Sequence, residues 1–423
     1  MKAGTSEKLI TPEVGIELCG YLARMQPSTG KYDELFVRTL YIENAGKQLV
    51  WIHCDLIGFS NELAWRIRTL VAKTLSIDPL YVVLSATHTH AGPATVRLRK
   101  CGDVDPSYVD FLEKTILDSA KEAADNIEEA TMYFSESLVE GISIDRTGSK
   151  KNSHVDNRLP VIAFRRKDGS FKAVFTNFAM HNVGLSNNNR KISADIAGFA
   201  ALRASSLIEG NPVVFLTNGG CGNINPALKT DDYSGVEKAG TILGDGIAGE
   251  ISRLEECSDT SISSFFTEIE LPLEALTKEE FTKIIEGHDN YFKTCEKNWW
   301  TGRLGEAFQL WAAETREIIE KKRLLSPAVG YAHIVKIGPV TLVGINAEVF
   351  SKMADQLRNL TGCQRLYVVG YTDGCIGYMA PAECHEDGGY AIAEAHKFYA
   401  HFGLKTGSFE MLRDRIVSNF KNI

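Results

Sequence analysis

The stretch NELAWRIRTLVAKTLSIDPLYVVLSATHTHAGPA, residues 61–94, carries an α/β signature in one reading. Leu63, Ile67, Leu70 and Val71 recur on one stripe at helical spacing, and the apolar run Tyr81 to Leu84 then reads as a strand. Two histidines, His88 and His90, leave its C-terminal end. Side chains alternate between faces along a strand, so both imidazoles point the same way if the extended conformation continues that far. A pair of this kind starts a metal site, serves as a base with its helper, or is simply polar loop, and only further ligands decide among these.

The pattern continues on both sides. Upstream, FVRTLYIE and QLVWIHCDLIGF within residues 36–60 read as strands joined by a hairpin at Asn44-Ala45-Gly46. Downstream come the helical YVDFLEKTILDSAKEAADNI and the strand-like TMYFSESLV, PVIAFRRK and KAVFTNFAM. VVFLTNG and TLVGIN repeat the scheme of a strand followed by a polar loop. Open α/β sheets place ligand sites at such strand exits. The expected fold is therefore α/β, a mixed β-sheet core flanked by helices with a metal site at strand C-terminal ends.

Residues 255–325 break the rhythm. Thr277 to Glu280 forms a capping box, and RLGEAFQLWAAETREIIEKKR is amphipathic with Leu304, Phe308, Trp311 and Ile318 roughly in line. A helical-hairpin insertion over about 255–325 is expected, with Trp299-Trp300 in its connection. Core packing of the hairpin is the favoured reading, and a lid or an oligomer contact the alternative.

The chain has 423 residues, 44% hydrophobic and 24% charged, with a net charge of -8. That composition fits a globular enzyme, and the scattered Lys and Arg argue against nucleic acid as a partner. Nothing reads as a linker, so a single domain over 1–423 is expected. No run reaches the roughly 18 apolar residues of a membrane span. The opening MKAGTSEKLITPEVGIEL lacks the apolar core of a secretory signal, and the nine cysteines show no C-x-x-C spacing. Reduced thiols and a cytoplasmic location follow as the expectation.

Other polar clusters also follow apolar strands. His181 comes after KAVFTNFAM, with Asp195 in a polar turn before Gly198. Gly220 to Pro226 is glycine-rich, and Glu348 sits at a strand-to-helix transition. A long loop then carries Tyr371, Tyr378 and Tyr390. Each has a plainer reading: a hydrogen-bonded core histidine for His181, helix-dipole complementation for Glu348, a rim aromatic for Tyr378, and a surface turn for Arg146 in GISIDRTGS.

Taken together, LCGYLAR, CDLIGF, SATHTHAGPA, ISIDRTGS, FAMHNVGLSNN, ISADIAG, LTNGGCGNINP, INAEVF and GYTDGCIGY resemble the neutral/alkaline non-lysosomal ceramidase family, zinc-dependent amidases that split the N-acyl bond of ceramide. The resemblance to their N-terminal catalytic domain covers most of the chain. It implies zinc on His88, His181, Glu348 and Tyr378, a nitrogen and oxygen donor set suited to zinc, although iron or manganese also accept two histidines and a carboxylate. It further implies His90 as a group that supports the ligands or acts as acid/base, Tyr390 facing the scissile amide with Arg146 in the same pocket, and Asp195 as an orienting residue; Asn225, where the chain departs from the family, is expected to hydrogen-bond the substrate. The expected reaction is hydrolysis of a linear amide by metal-activated water, with His90 passing a proton to the leaving amine.

Two departures qualify this. Gly222-Asn223-Ile224-Asn225-Pro226 stands where the family shows G-D-x-S-P, which excludes a serine nucleophile there. The C-terminal immunoglobulin-like domain of longer members is also expected to be absent. Alternatives are a zinc hydrolase of a small soluble amide, ester or lactone, perhaps carbohydrate-derived, and a non-catalytic metal-binding homologue. The expected partner is an N-acyl, lipid-like or small-molecule substrate, with homo-oligomerisation left open.

Overall fold

The structure is a computed structural model describing residues 1–24 and 26–423, with only the backbone described at Trp299. The hairpin read at Asn44-Ala45-Gly46 joins Phe36–Asn44 to Lys47–Cys54, its tip bent through left-handed Ala45 and Gly46. Beyond it, helix Asn61–Leu75 returns the chain to Val82–Ala86, which pairs in parallel with Lys47–Cys54. With Lys2–Leu9 in front and helix Pro106–Asp125 behind, this makes a unit of three antiparallel strands, a helix, a parallel strand and a covering helix.

The same unit occurs three times. The second runs through Glu128–Leu138, Arg158–Arg166, Phe171–Phe178, helix Asp195–Leu207, Val213–Asn218 and helix Ser234–Glu250. The third runs through Ile262–Leu271, Ala328–Ile337, Val340–Ile345, helix Lys352–Thr361, Leu366–Val369 and helix Ser408–Asn419.

The first two units join into one large sheet through a short pairing of Lys2 and Ala3 with Glu129 and Glu128. The sheet then curls until its two edge strands meet, and Asn218 Nδ2 donates to the carbonyl of Thr87 at 3.1 Å. This approach brings the exits of both strands together.

The third unit forms its own four-stranded sheet stacked on the large one. Trp51, Val83, Phe175 and Phe215 of the large sheet pack there against Val335, Val340, Leu342 and Tyr367. Helices Asn61–Leu75, Pro106–Asp125, Asp195–Leu207 and Ser234–Glu250 cover the outer face of the large sheet, and Lys352–Thr361 and Ser408–Asn419 that of the small one. The result is the expected mixed α/β architecture, layered helix, sheet, sheet, helix.

The insertion is shorter than 255–325. Glu255–Glu256 and Ile262–Leu271 are strands, and the two helices occupy Lys278–Thr294 and Trp299–Glu320. The adjacent Phe265 and Phe266 obscure the alternation of ISSFFTEIEL, which explains the misplaced boundary. The capping box at Thr277 and Glu280 is present, and Phe281, Phe308 and Trp311 pack the helices together. Like residues 10–35 and 139–157, the insertion is the connection between the first two strands of its unit.

Candidate metal centre

Val82–Ala86 ends before the histidines do. His88 takes a left-handed φ of 62°, so the extended chain does not reach His90, contrary to the simple strand reading. The two rings converge through a turn instead, with His90 Nε2 3.1 Å from His88 Nε2. A left-handed histidine is strained, a cost that surrounding structure must offset. Arg24, buried, provides part of it by donating to the carbonyls of His90 at 2.7 Å and Asn189 at 2.7 Å. Gly20 leaves room for the His90 ring: a Cβ there would lie 2.5 Å from His90 Nδ1.

The second unit contributes His181 beyond Phe171–Phe178, and the third contributes Glu348 beyond Val340–Ile345. Glu348 Oε2 lies 3.4 Å from His88 Nε2 and 3.2 Å from His181 Nε2. The ring nitrogens of His88, His90 and His181 lie within 4.8 Å of one another. His88 Nδ1 donates to the Ile57 carbonyl at 2.6 Å, and His181 Nδ1 to the Cys221 carbonyl at 2.7 Å. A carbonyl only accepts, so both rings carry their proton on Nδ1 and turn an Nε2 lone pair inward. Burial pushes the His181 pKa down to about 3 and holds His90 well below the ordinary imidazole range, keeping both imidazoles neutral.

Two imidazole lone pairs and a carboxylate oxygen thus face one another at close range, an arrangement that a cation between them relieves. The donor set fits zinc, and carbonyl partners on Nδ1 are the usual support of metal-ligating histidines.

Tyr378 reaches the same place from Tyr378–Met379, with its hydroxyl 3.5 Å from His181 Nε2. Arg146 Nη2 donates to that hydroxyl at 2.8 Å and to the Gly222 carbonyl at 2.8 Å, while Nη1 reaches Asn225 Oδ1 at 3.5 Å. Arg146 is therefore part of the site and not a surface turn. Tyr390, 53% exposed, stands with its ring centroid 5.9 Å from that of Tyr378.

A cleft of about 480 Å³ opens from His88, His90, Glu348 and Tyr378. Ile57, Val96, Leu98, Cys101, Ile376 and Phe398 give it apolar walls, and Ser60, Asn61, Glu62 and Arg97 add polar groups. A smaller cavity of about 150 Å³ on the other side of Tyr390 is lined by Arg146, Thr147, Gly222 and Asp387.

Asp195 and Asn225 do not line the cleft. Asp195 opens helix Asp195–Leu207 and is buried; its carboxylate accepts the backbone N–H groups of Gly184 and Leu185 at 2.7 and 3.1 Å, holding the loop after His181.

A family model for the neutral/alkaline non-lysosomal ceramidase N-terminal domain matches residues 2–219, just over half of the chain. The chain belongs to this family. Neutral ceramidases of Drosophila pseudoobscura pseudoobscura and Pseudomonas aeruginosa are each 24% identical to it, over 48% and 53% of this chain. These alignments span 31% and 36% of the relatives' own length, about a third. The crystal structure of Pseudomonas aeruginosa neutral ceramidase superposes with a TM-score of 0.75 at 17% identity, covering 98% of this chain and 73% of that one. A structure described as a ceramidase complexed with C2 gives 0.75 at 16% identity, covering 100% and 75%. At this identity the two structures establish the shared ceramidase fold.

Within that fold, the sequence reading overlooked Arg24, Gly20 and the part played by Asn223. Asn223 donates to Asp145 Oδ2 and the His154 carbonyl, both at 2.8 Å, and accepts the Ser351 N–H at 2.8 Å. Two donors and one acceptor are what an amide offers, whereas an aspartate here would face Asp145. Asn223 thus ties the Arg146 segment to the helix that follows Glu348. LCGYLAR was the available signal for Gly20 and Arg24, but only as a family block.

Proposed function

We propose that this chain is a zinc-dependent hydrolase that cleaves a linear N-acyl amide, ceramidase-like, with a role in sphingolipid metabolism. The observation that carries the reading is the convergence of His88, His181 and Glu348, beside His90 and Tyr378, at the foot of an apolar cleft. Zinc held by His88, His181, Glu348 and Tyr378 would supply Lewis acidity and lower the pKa of water toward about 7.

The chain's own residues do the rest. The apolar walls take the acyl chain, and a volume of about 480 Å³ is in the ordinary range of ligand sites. Arg146 donates to the Tyr378 hydroxyl and Tyr390 stands beside that ring; in this reading the two would stabilise charge developing on the amide oxygen. His90 carries the proton to the leaving amine. Its Nε2, 3.1 Å from His88 Nε2, is the nitrogen that faces the site and would exchange the proton, while Nδ1 is buried.

A second reading, hydrolysis of a small polar amide, ester or lactone, draws on the smaller cavity that carries Arg146, Thr147 and Asp387 on its walls. The nine cysteines are all unpaired, which supports placement in a reducing compartment, and no described helix is long and apolar enough to cross a membrane. Hydrolysis of a short-chain fluorescent ceramide alongside a panel of soluble N-acyl amines, esters and lactones tests the reading. Turnover of the lipid amide is expected; turnover confined to the polar substrates would replace the first reading by the second.

A further inference from the structure

We infer that Tyr371 is a positioning residue of the metal centre, a partner that orients Glu348 and His88 without itself ligating. The inference rests on the zinc reading above.

Tyr371 is 1% exposed and leaves Leu366–Val369 just as His88 leaves Val82–Ala86, two residues beyond the strand and in the left-handed region, with φ 52°. A bulky residue adopts that conformation only when its surroundings impose it. Here the two rings lie face to face, with centroids 3.9 Å apart and planes 14° apart, so the tyrosine fixes the plane of the His88 imidazole.

The tyrosine hydroxyl lies 3.4 Å from Glu348 Oε2, the oxygen that also faces His88 and His181, and 3.2 Å from Cys221 Sγ. A carboxylate only accepts, which sets the direction of the chain: the Cys221 thiol donates to the tyrosine oxygen, and the tyrosine O–H donates to Glu348. The Cys221 carbonyl meanwhile holds His181 Nδ1. Tyr371 thus contacts His88 and Glu348 directly, and through Cys221 it is linked to the residue whose carbonyl holds His181. The Tyr371 to Glu348 contact is long for a bond between oxygens, so its effect belongs at the low end for an outer partner of a metal ligand.

The test is zinc affinity by chelator competition on the full chain, comparing the parent with Tyr371→Phe and Tyr367→Phe. Tyr371→Phe keeps the stacked ring and loses only the hydroxyl. Its expected effect is a zinc Kd about 10-fold weaker, the low end for removing such a partner. Tyr367 is also buried, and its hydroxyl bonds Glu136 away from the site, so Tyr367→Phe is expected to bind zinc as the parent does. Equal affinity in the parent and Tyr371→Phe would overturn the inference while leaving the zinc reading intact. An equal loss in both variants would also overturn it, as a general effect of removing a buried hydroxyl. A parent that binds no zinc would overturn the inference and the zinc reading together.

Discussion

The strand exits at Val82–Ala86 and Leu366–Val369 are built alike and used differently. Each strand is the parallel member of its unit, and each turns through a left-handed residue, His88 in one and Tyr371 in the other, whose rings then stack. One exit presents imidazole nitrogen to the centre of the site; the other presents a hydroxyl one step back, on the carboxylate. The repeated backbone unit delivers side chains to one place, and the chemistry of each side chain decides whether it ligates or supports.

The largest effect is expected at the ligating side. His88→Ala and His181→Ala should each lose zinc and hydrolysis together, measured by elemental analysis and the amide panel, because removal of a direct ligand exceeds the about 10–100-fold effect of an outer partner. Retention of zinc in His181→Ala would show that the second unit does not ligate.

His90→Ala separates binding from proton transfer within one turn of chain. Zinc should remain, with turnover lower by about 10²–10⁴-fold. Loss of zinc would instead make His90 a ligand of the same rank as His88.

Asp373 couples the two exits. Its Oδ1 accepts the Leu84 N–H at 3.0 Å, and its Oδ2 meets His333 Nδ1 at 2.6 Å and Arg68 Nη1 at 3.6 Å. Asp373→Asn should lower stability by about 1.5–3 kcal/mol, the worth of hydrogen bonds to a buried charge, seen in denaturant unfolding of the metal-free chain. Unchanged stability would mean that the exits are held independently.

The smallest effect is expected at Asn225→Ala, which among the described residues loses only the 3.5 Å contact from Arg146. About 1 kcal/mol or less is at stake, so turnover should fall by no more than about fivefold. A larger loss would give Asn225 a direct part in substrate binding.

The histidine pair, the strand and helix order and the family blocks were legible because they are local: His88 and His90 are two residues apart, and each strand announces itself by its apolar run. The threefold repetition was not, since the units share a course of the backbone and not side chains, and their first connections differ in content, from the loop with Gly20 to the two-helix insertion. Tyr371 reads as one tyrosine among several until the stacked sheets bring it against His88 and Glu348. The strand Ile262–Leu271 was hidden for a different reason, its alternation interrupted by Phe265-Phe266 and its neighbours helical.

The central claim is that the three strand-exit groups, His88, His181 and Glu348, together hold one catalytic metal ion. It is tested most directly by the zinc content of the full chain purified without added metal, read together with amide hydrolysis before and after chelation and re-addition of zinc. About one zinc per chain is expected for a single closed set of ligands, with hydrolysis lost on chelation and restored on re-addition. A chain that carries no metal, or hydrolyses amides equally well without it, would contradict the account.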